Sequence, residues 1–251
     1  MGREAGGALI LGGTGGLGSA IVRRLASDWE HVAFTYQSNE AKAKALAAEI
    51  GNVTNATTHR LDISDELALA EIVSATHAQS GGLRAAVFSC GMHIPQVYVS
   101  ELRPEQWREA VQAELMGFIG LVRVVLPVLR ETKGCIVNIG SVAPHRFVIG
   151  DALSAVPKAG SETLCRAVAK EEGRFGVRVN TVAPGIMEVG IGGALMETIY
   201  NEEIWERSKK NTPLRRFGRG EDVAGIAAFL CSSEASFITG QTIIADGGLS
   251  L

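Results

Sequence analysis

Along the chain, short runs suited to strands alternate with longer stretches in which apolar positions recur every three or four residues. The short runs are ALIL (8–11), HVAFTY (31–36), TTHRLD (57–62), RAAVFSC (84–90), CIVNIGS (135–141), VRVNTVA (177–183) and TIIADG (242–247). The helical periods cover 17–27, 40–50, 65–79, 105–130, 155–173 and 221–231. Strand–helix alternation with near-continuous apolar strands predicts a parallel sheet covered on both faces. That is an α/β, doubly wound, Rossmann-type domain of about seven parallel strands. No repeat, low-complexity tract or linker interrupts the pattern, so residues 1–251 are expected to form one domain. Segment 186–215 is helical in period but has no strand partner. Its part 186–212 is the expected lid, because insertions beyond a strand's carboxyl end cover the ligand crevice in such folds.

Composition narrows the function classes. Hydrophobic residues make up 46% and charged residues 20%, and the formal net charge is −3. A large buried core is expected, with neither nucleic acid nor a membrane as partner. The first residues lack the apolar run of a secretory signal, and no stretch reads as a bilayer span, so a cytoplasmic location is expected. Cys90, Cys135, Cys165 and Cys231 stand in apolar segments without C-x-x-C spacing. They read as small buried side chains in a reducing compartment. The five histidines and four cysteines show no metal-ligand spacing.

The glycines carry the first chemistry. In ALILGGTGGLGSAIVRRLA, Gly12, Gly16 and Gly18 follow a strand and open an amphipathic helix. Such a turn lets backbone approach a pyrophosphate, which the helix N-terminus attracts. The spacing G-x-x-x-G-x-G resembles the short-chain dehydrogenase/reductase family. So do HRLDIS with Asp62, FSCG ending at Gly91, IVNIGS with Ser141, VRVNTVAPG with Asn180, Pro184 and Gly185, and the segment from PLRRFGRGEDVAG to the final ADGG. The resemblance covers residues 7–248 and is strongest to the β-ketoacyl-carrier-protein reductases and related ketoreductases.

That resemblance implies a nicotinamide cofactor held by Gly12, Thr14, Gly16, Leu17, Gly18, Tyr36, Gln37, Ser38, Asp62, Ile63, Ser89, Gly91, Lys158, Pro184, Gly185 and Ile186. Asp62 would meet the adenine amino group. At the end of the second strand stand Tyr36, Gln37 and Ser38, not the carboxylate that would repel a 2′-phosphate. This favours NADP(H) over NAD(H), although Gly15 and Gln37 stand where the family's phosphate-binding arginines would be. The resemblance also implies a homotetramer or homodimer built on the long helices and the last strand.

The catalytic positions are rewritten. The family's Asn, Ser, Tyr and Lys correspond here to Glu114, Ser141, Ser154 and Lys158. A tyrosine phenol, its acidity raised by a nearby ammonium, would give a proton to the carbonyl oxygen that receives hydride. The Ser154 hydroxyl is a weaker acid and lies a ring's length short. A helix N-cap or space-filling role is its plainer alternative, and Pro157 points to a helix start close by. Lys158 would bind the nicotinamide ribose. Glu114, in an otherwise apolar helix, needs a partner, and Lys158 is the natural one. It reads either as half of a structural ion pair or as a replacement acid. Leu11, Phe88, Ser89 and Val189 depart from the family as well. His93, His145 and Arg146 fall on loops at strand ends, where a histidine could donate a proton or simply face solvent.

Three functions remain open from sequence. One is an NADPH-dependent ketoreductase with an altered proton donor, acting on a β-ketoacyl thioester, as a small molecule or on an acyl carrier protein. Another is a cofactor-binding subunit that needs an intact partner reductase in a hetero-oligomer. The third is a non-redox dehydratase or isomerase. Met187, Met196, Ile199, Tyr200 and Trp205 could line an apolar pocket or pack the lid. Arg146, Lys209, Lys210, Arg215 and Arg216 could meet a carrier protein or only solvent.

Overall fold

The computed structural model describes residues 3–193 and 202–251. Seven parallel strands form one sheet in the order β3-β2-β1-β4-β5-β6-β7. They are β1 (Glu4–Leu11), β2 (Trp29–Tyr36), β3 (Asn55–Arg60), β4 (Leu83–Phe88), β5 (Cys135–Ile139), β6 (Arg178–Pro184) and β7 (Thr242–Ala245). The helices between them are α1 (Gly16–Asp28), α2 (Glu40–Ile50), α3 (Glu66–Ser80), α4 (Pro104–Thr132), α5 (Ala152–Glu172), α6 (Glu202–Asn211) and α7 (Gly220–Cys231).

Two apolar layers hold the sheet. Ile21, Leu25, Phe34, Val137 and Leu230 belong to the layer that buries α1, α2 and α7. Leu9, Leu69, Phe118, Leu121 and Ile136 belong to the layer beneath α3, α4 and α5. The strand order reverses between β1 and β4, so their carboxyl ends diverge and open a crevice there.

Three expectations need correction. The first strand begins at Glu4, ahead of the ALIL run. Gly6 adopts a left-handed φ of 93°, and the pairing with β2 shifts register between Glu4 and Gly7. Glycines hide that irregular strand from a propensity reading. The long helix α4 runs for 29 residues and is apolar enough to cross a membrane by length and composition, contrary to the sequence reading. Its Phe118, Leu121, Val125 and Leu129 are nevertheless buried in the core against the sheet. Finally, α5 begins at Ala152 with Asp151 at the N-cap, so Ser154 is not the cap and Pro157 lies in the second turn. Pro157 removes a single backbone donor, and the 21-residue helix continues past it.

Candidate active site

On one side of the crevice, β1 delivers the chain into a tight glycine turn. Gly12 has φ 77°, its N–H donates to Thr35 Oγ1 at 3.1 Å, and a Cβ there would lie 2.7 Å from the Ser89 carbonyl oxygen. A Cβ on Gly18 would lie 2.1 Å from the Gly12 carbonyl oxygen. Only glycine lets α1 start against its own turn. The first turn of α1 carries no acidic residue and no side-chain cap, so its N–H groups and positive dipole end are left for an anion.

A cavity of about 520 Å³ opens beside this turn. Gly12, Thr14 and Gly15 line it from the glycine loop, and Tyr36 and Gln37 from the end of β2. Asp62, Ile63, Ser89 and Gly91 complete the walls predicted from sequence. Hydrogen bonds from the Ser64 hydroxyl and N–H hold the Asp62 carboxyl below its ordinary pKa, so it is an anionic acceptor. The glycine cradle, the uncapped helix start and this cavity fit the pyrophosphate and adenosine half of a dinucleotide.

Other predicted contacts lie elsewhere. Gly16 and Gly18 serve the turn, and Leu17 packs against the core below it. Ser38 does not line the cavity. Pro184, Gly185 and Ile186 stand at the end of β6, with the Ile186 carbonyl accepting from Gly218 N–H at 2.9 Å. The chain then returns to the glycine loop, where a Cβ on Gly16 would lie 2.3 Å from Gly190 N. The base of the expected lid therefore sits on the turn that would carry the pyrophosphate.

Arg60 escaped the sequence reading. Its Nε donates to the Gln37 carbonyl at 3.2 Å, which fixes a cation beside the turn after β2. The signal was present in HRLD, at the end of the edge strand.

The other side of the crevice joins α4, α5 and the loop after β5. Within α4, residues Val111–Met116 widen into a π-helical turn, a device frequent at functional sites. This turn carries Glu114, only 4% exposed, into an ion pair with Lys158 of α5, which is 13% exposed. The remaining carboxylate oxygen, Oε1, accepts from Met92 N–H at 3.3 Å. Both Glu114 oxygens are thus engaged, one by an ammonium and one by a backbone N–H. Ser141 follows β5, and its Oγ accepts from Ala143 N–H at 3.1 Å. Ser154 is half-buried in the first turn of α5, one helical turn before Lys158.

The candidate loop groups divide. The His145 ring bonds the buried Glu162 carboxylate at 3.1 Å. Burial raises the Glu162 pKa, and His145 opposes that rise. Arg146 donates to the Leu249 carbonyl, and His93 is exposed in the irregular loop after β4, between half-buried Met92 and buried Ile94. Cys90 lines the cavity, where burial and nearby Glu114 push its thiol up to about 12, so it is not a nucleophile. Cys135, Cys165 and Cys231 are buried free thiols.

Of the lid residues, Met187 is buried with its sulfur against Gly218, and Trp205 packs edge-on to Phe217 with centroids 5.8 Å apart. Met196, Ile199 and Tyr200 lie outside the described residues.

A parallel seven-stranded sheet with a glycine-turn crevice and a serine–lysine wall defines a class of nicotinamide-dependent reductase. The chain belongs to the short-chain dehydrogenase/reductase family of NAD(P)-dependent oxidoreductases. A family model described as enoyl-(acyl carrier protein) reductase matches residues 12–250. The chain is 31% identical to an acetoacetyl-CoA reductase of Shinella zoogloeoides, covering 96% of this chain and 97% of the relative. It is 32% identical to a 3-oxoacyl-(acyl-carrier-protein) reductase of Aquifex aeolicus, covering 96% of each. Among solved structures, a short-chain dehydrogenase/reductase from Mycobacterium ulcerans superposes with TM-score 0.92 at 28% identity, covering 100% of this chain and 91% of that one. A 7α-hydroxysteroid dehydrogenase complexed with NADH and a 7-oxo bile acid gives TM-score 0.90 at 27% identity, covering 98% and 95%.

Proposed function

We propose that this protein reduces a ketone with NADPH, that the ketone is a β-ketoacyl thioester on coenzyme A or an acyl carrier protein, and that its proton donor is not a tyrosine. The observation that carries this reading is the buried Glu114–Lys158 ion pair, kept in a fold whose crevice has Gly12, Thr14, Asp62, Ser89 and Gly91 in its walls. The two curated relatives named above act on β-ketoacyl thioesters by their names, and each spans nearly the whole chain.

In this reading the cofactor supplies hydride. Thr14, Gly16, Leu17 and Gly18 would hold its pyrophosphate, and Asp62 and Ile63 the adenine. Ser89 and Gly91 would border the nicotinamide ribose, and Pro184, Gly185 and Ile186 the nicotinamide. Glu114 fixes the Lys158 ammonium so that it can donate to ribose hydroxyls. Ser141 donates to the substrate carbonyl oxygen and orients it. Arg60, beside Tyr36, Gln37 and Ser38, favours a 2′-phosphate and hence NADP(H) over NAD(H).

Of the lid expected over 186–212, the described parts 186–193 and 202–212 would cover the bound pair. For a carrier protein, Lys209 and Arg216 are already matched by Glu206 and Asp222, which leaves Arg146, Lys210 and Arg215 as the cationic contacts. The edge strand β7, with Ile244 exposed, and the outer face of α4 would join copies into a dimer or tetramer. A cytoplasmic location follows from the nicotinamide and thioester chemistry.

A second reading is favoured by Ser154 itself. Without a phenol the chain could serve as a cofactor-binding subunit beside an intact reductase. Loss of NADPH absorbance with a panel of β-ketoacyl thioesters separates the two. Turnover by the purified protein supports the first reading. Binding without turnover, recovered on adding another reductase, supports the second.

A further inference from the structure

We propose that Asp151 is the proton donor that replaces the missing tyrosine. The proposal rests on the reading that this protein reduces a ketone with NAD(P)H.

Asp151 occupies the N-cap of α5, where an aspartate ordinarily accepts from its own helix's first N–H groups. Here the carboxylate makes no such bond. It turns instead to the loop after β4, where Oδ1 accepts from Gln96 Nε2 at 3.1 Å, 55 residues away in sequence. Gly150 helps this crossing. Its φ is 87°, and a Cβ there would lie 3.1 Å from the Gln96 carbonyl carbon, so the two loops touch. No hydrogen bond reaches Asp151 Oδ2 among the described residues.

Helical spacing places Asp151, Ser154 and Lys158 along one stripe of α5, at i, i+3 and i+7. The stripe passes from the free carboxyl oxygen, past the position emptied by the tyrosine ring, to the ammonium. The charged groups that act on Asp151 are Lys158, which favours its anion, and Glu114, which opposes it. Burial outweighs both and the Gln96 bond, so the carboxyl sits above its ordinary pKa and holds its proton at higher pH than a free aspartate does. Two rival donors, Glu114 and His145, are occupied. Both Glu114 oxygens are bonded, and the His145 ring is bonded to Glu162.

The ketone carbon accepts hydride from the reduced nicotinamide, and the C=O π pair moves onto oxygen. Asp151 gives its Oδ2 proton to that oxygen, directly or through a water in the space beside Ser154. The carboxyl O–H bond breaks, its electron pair stays on Asp151, and the alcohol O–H bond forms. Solvent returns a proton to the carboxylate before the next turnover.

The test uses the full-length protein and three readouts. Asp151→Asn keeps an acceptor for Gln96 but cannot donate as an acid. It is expected to lower kcat about 100-fold, the usual scale of general-acid catalysis, with NADPH affinity within about twofold of wild type. Wild-type kcat/KM should fall as pH rises through the carboxyl's pKa, and the variant should lose that limb. In the infrared, the protonated-carboxyl band of wild type should be missing from Asp151→Asn and kept in Glu114→Gln. Asp151→Glu, which restores an acid, should recover activity to within about tenfold. The assignment is overturned if Asp151→Asn keeps wild-type kcat and pH profile. It is also overturned if Asn and Glu variants lose activity and thermal stability alike, since a cap would do that. A wild-type protein that binds NADPH and reduces no ketone overturns the ketoreductase reading itself, and the assignment with it.

Discussion

The two halves of the crevice have met different constraints. On the adenosine side, the groups that would meet the cofactor are mostly backbone and short side chains: the Gly12 turn, the uncapped start of α1, and Asp62 held by Ser64. On the reaction side, Ser141 follows β5 and Lys158 lies on α5, and the proposed assignment puts Glu114 in the family's asparagine position and Ser154 in its tyrosine position. The first half is fixed by sterics, since a Cβ at Gly12 or Gly18 meets a carbonyl oxygen. The second depends on side-chain chemistry that can be replaced piece by piece if a new charge finds a partner. Glu114 found one in Lys158. A buried carboxylate without that ammonium would be untenable.

The largest expected effect breaks that pair. Lys158→Met leaves Glu114 charged and buried, and should cost about 3–5 kcal/mol of stability, measured by denaturant unfolding. Adding Glu114→Gln should return most of the loss. An additive double variant would mean that the two groups do not support each other.

Next comes the cradle. Gly18→Ala forces a Cβ to 2.1 Å from the Gly12 carbonyl oxygen. NADPH affinity, followed by fluorescence titration, should weaken about 100-fold, or about 2.7 kcal/mol. Unchanged affinity would show that the glycine turn does not carry the cofactor.

Ser154→Tyr restores the phenol on the stripe that already carries Lys158. Ketone-dependent NADPH oxidation should rise about tenfold, the low end of a restored general acid. A drop with intact NADPH binding would show that the pocket has been reshaped around the small side chain.

The smallest effect concerns cofactor choice. Arg60→Ala should shift the NADPH-to-NADH ratio of kcat/KM about tenfold toward NADH, as expected for one exposed charge on a phosphate. Equal loss for both cofactors would make Arg60 a structural tie to Gln37.

How much was legible in the sequence follows the same division. The strand–helix alternation and the glycine turn follow from local signals, because both are written in consecutive residues, whereas the strand order is set by the fold. The Glu114–Lys158 contact was foreseeable because a carboxylate in an apolar helix demands a cation. The irregular start of β1 was hidden by Gly6 and Gly7, whose low strand propensity masks pairing that tertiary contacts enforce. Asp151 was invisible for another reason. An aspartate before a helix reads as its cap, and only the fold brings Gln96 across to take the carboxylate. The π-helical turn at Val111–Met116 leaves no periodic trace in so short a segment.

The most direct measurement is the absorbance of NADPH mixed with purified wild-type protein and acetoacetyl-CoA, with NADPH binding followed by fluorescence in the same samples. The account predicts binding, and a loss of absorbance that depends on both protein and ketone. Binding with no loss of absorbance, across that and longer β-ketoacyl thioesters, would contradict it.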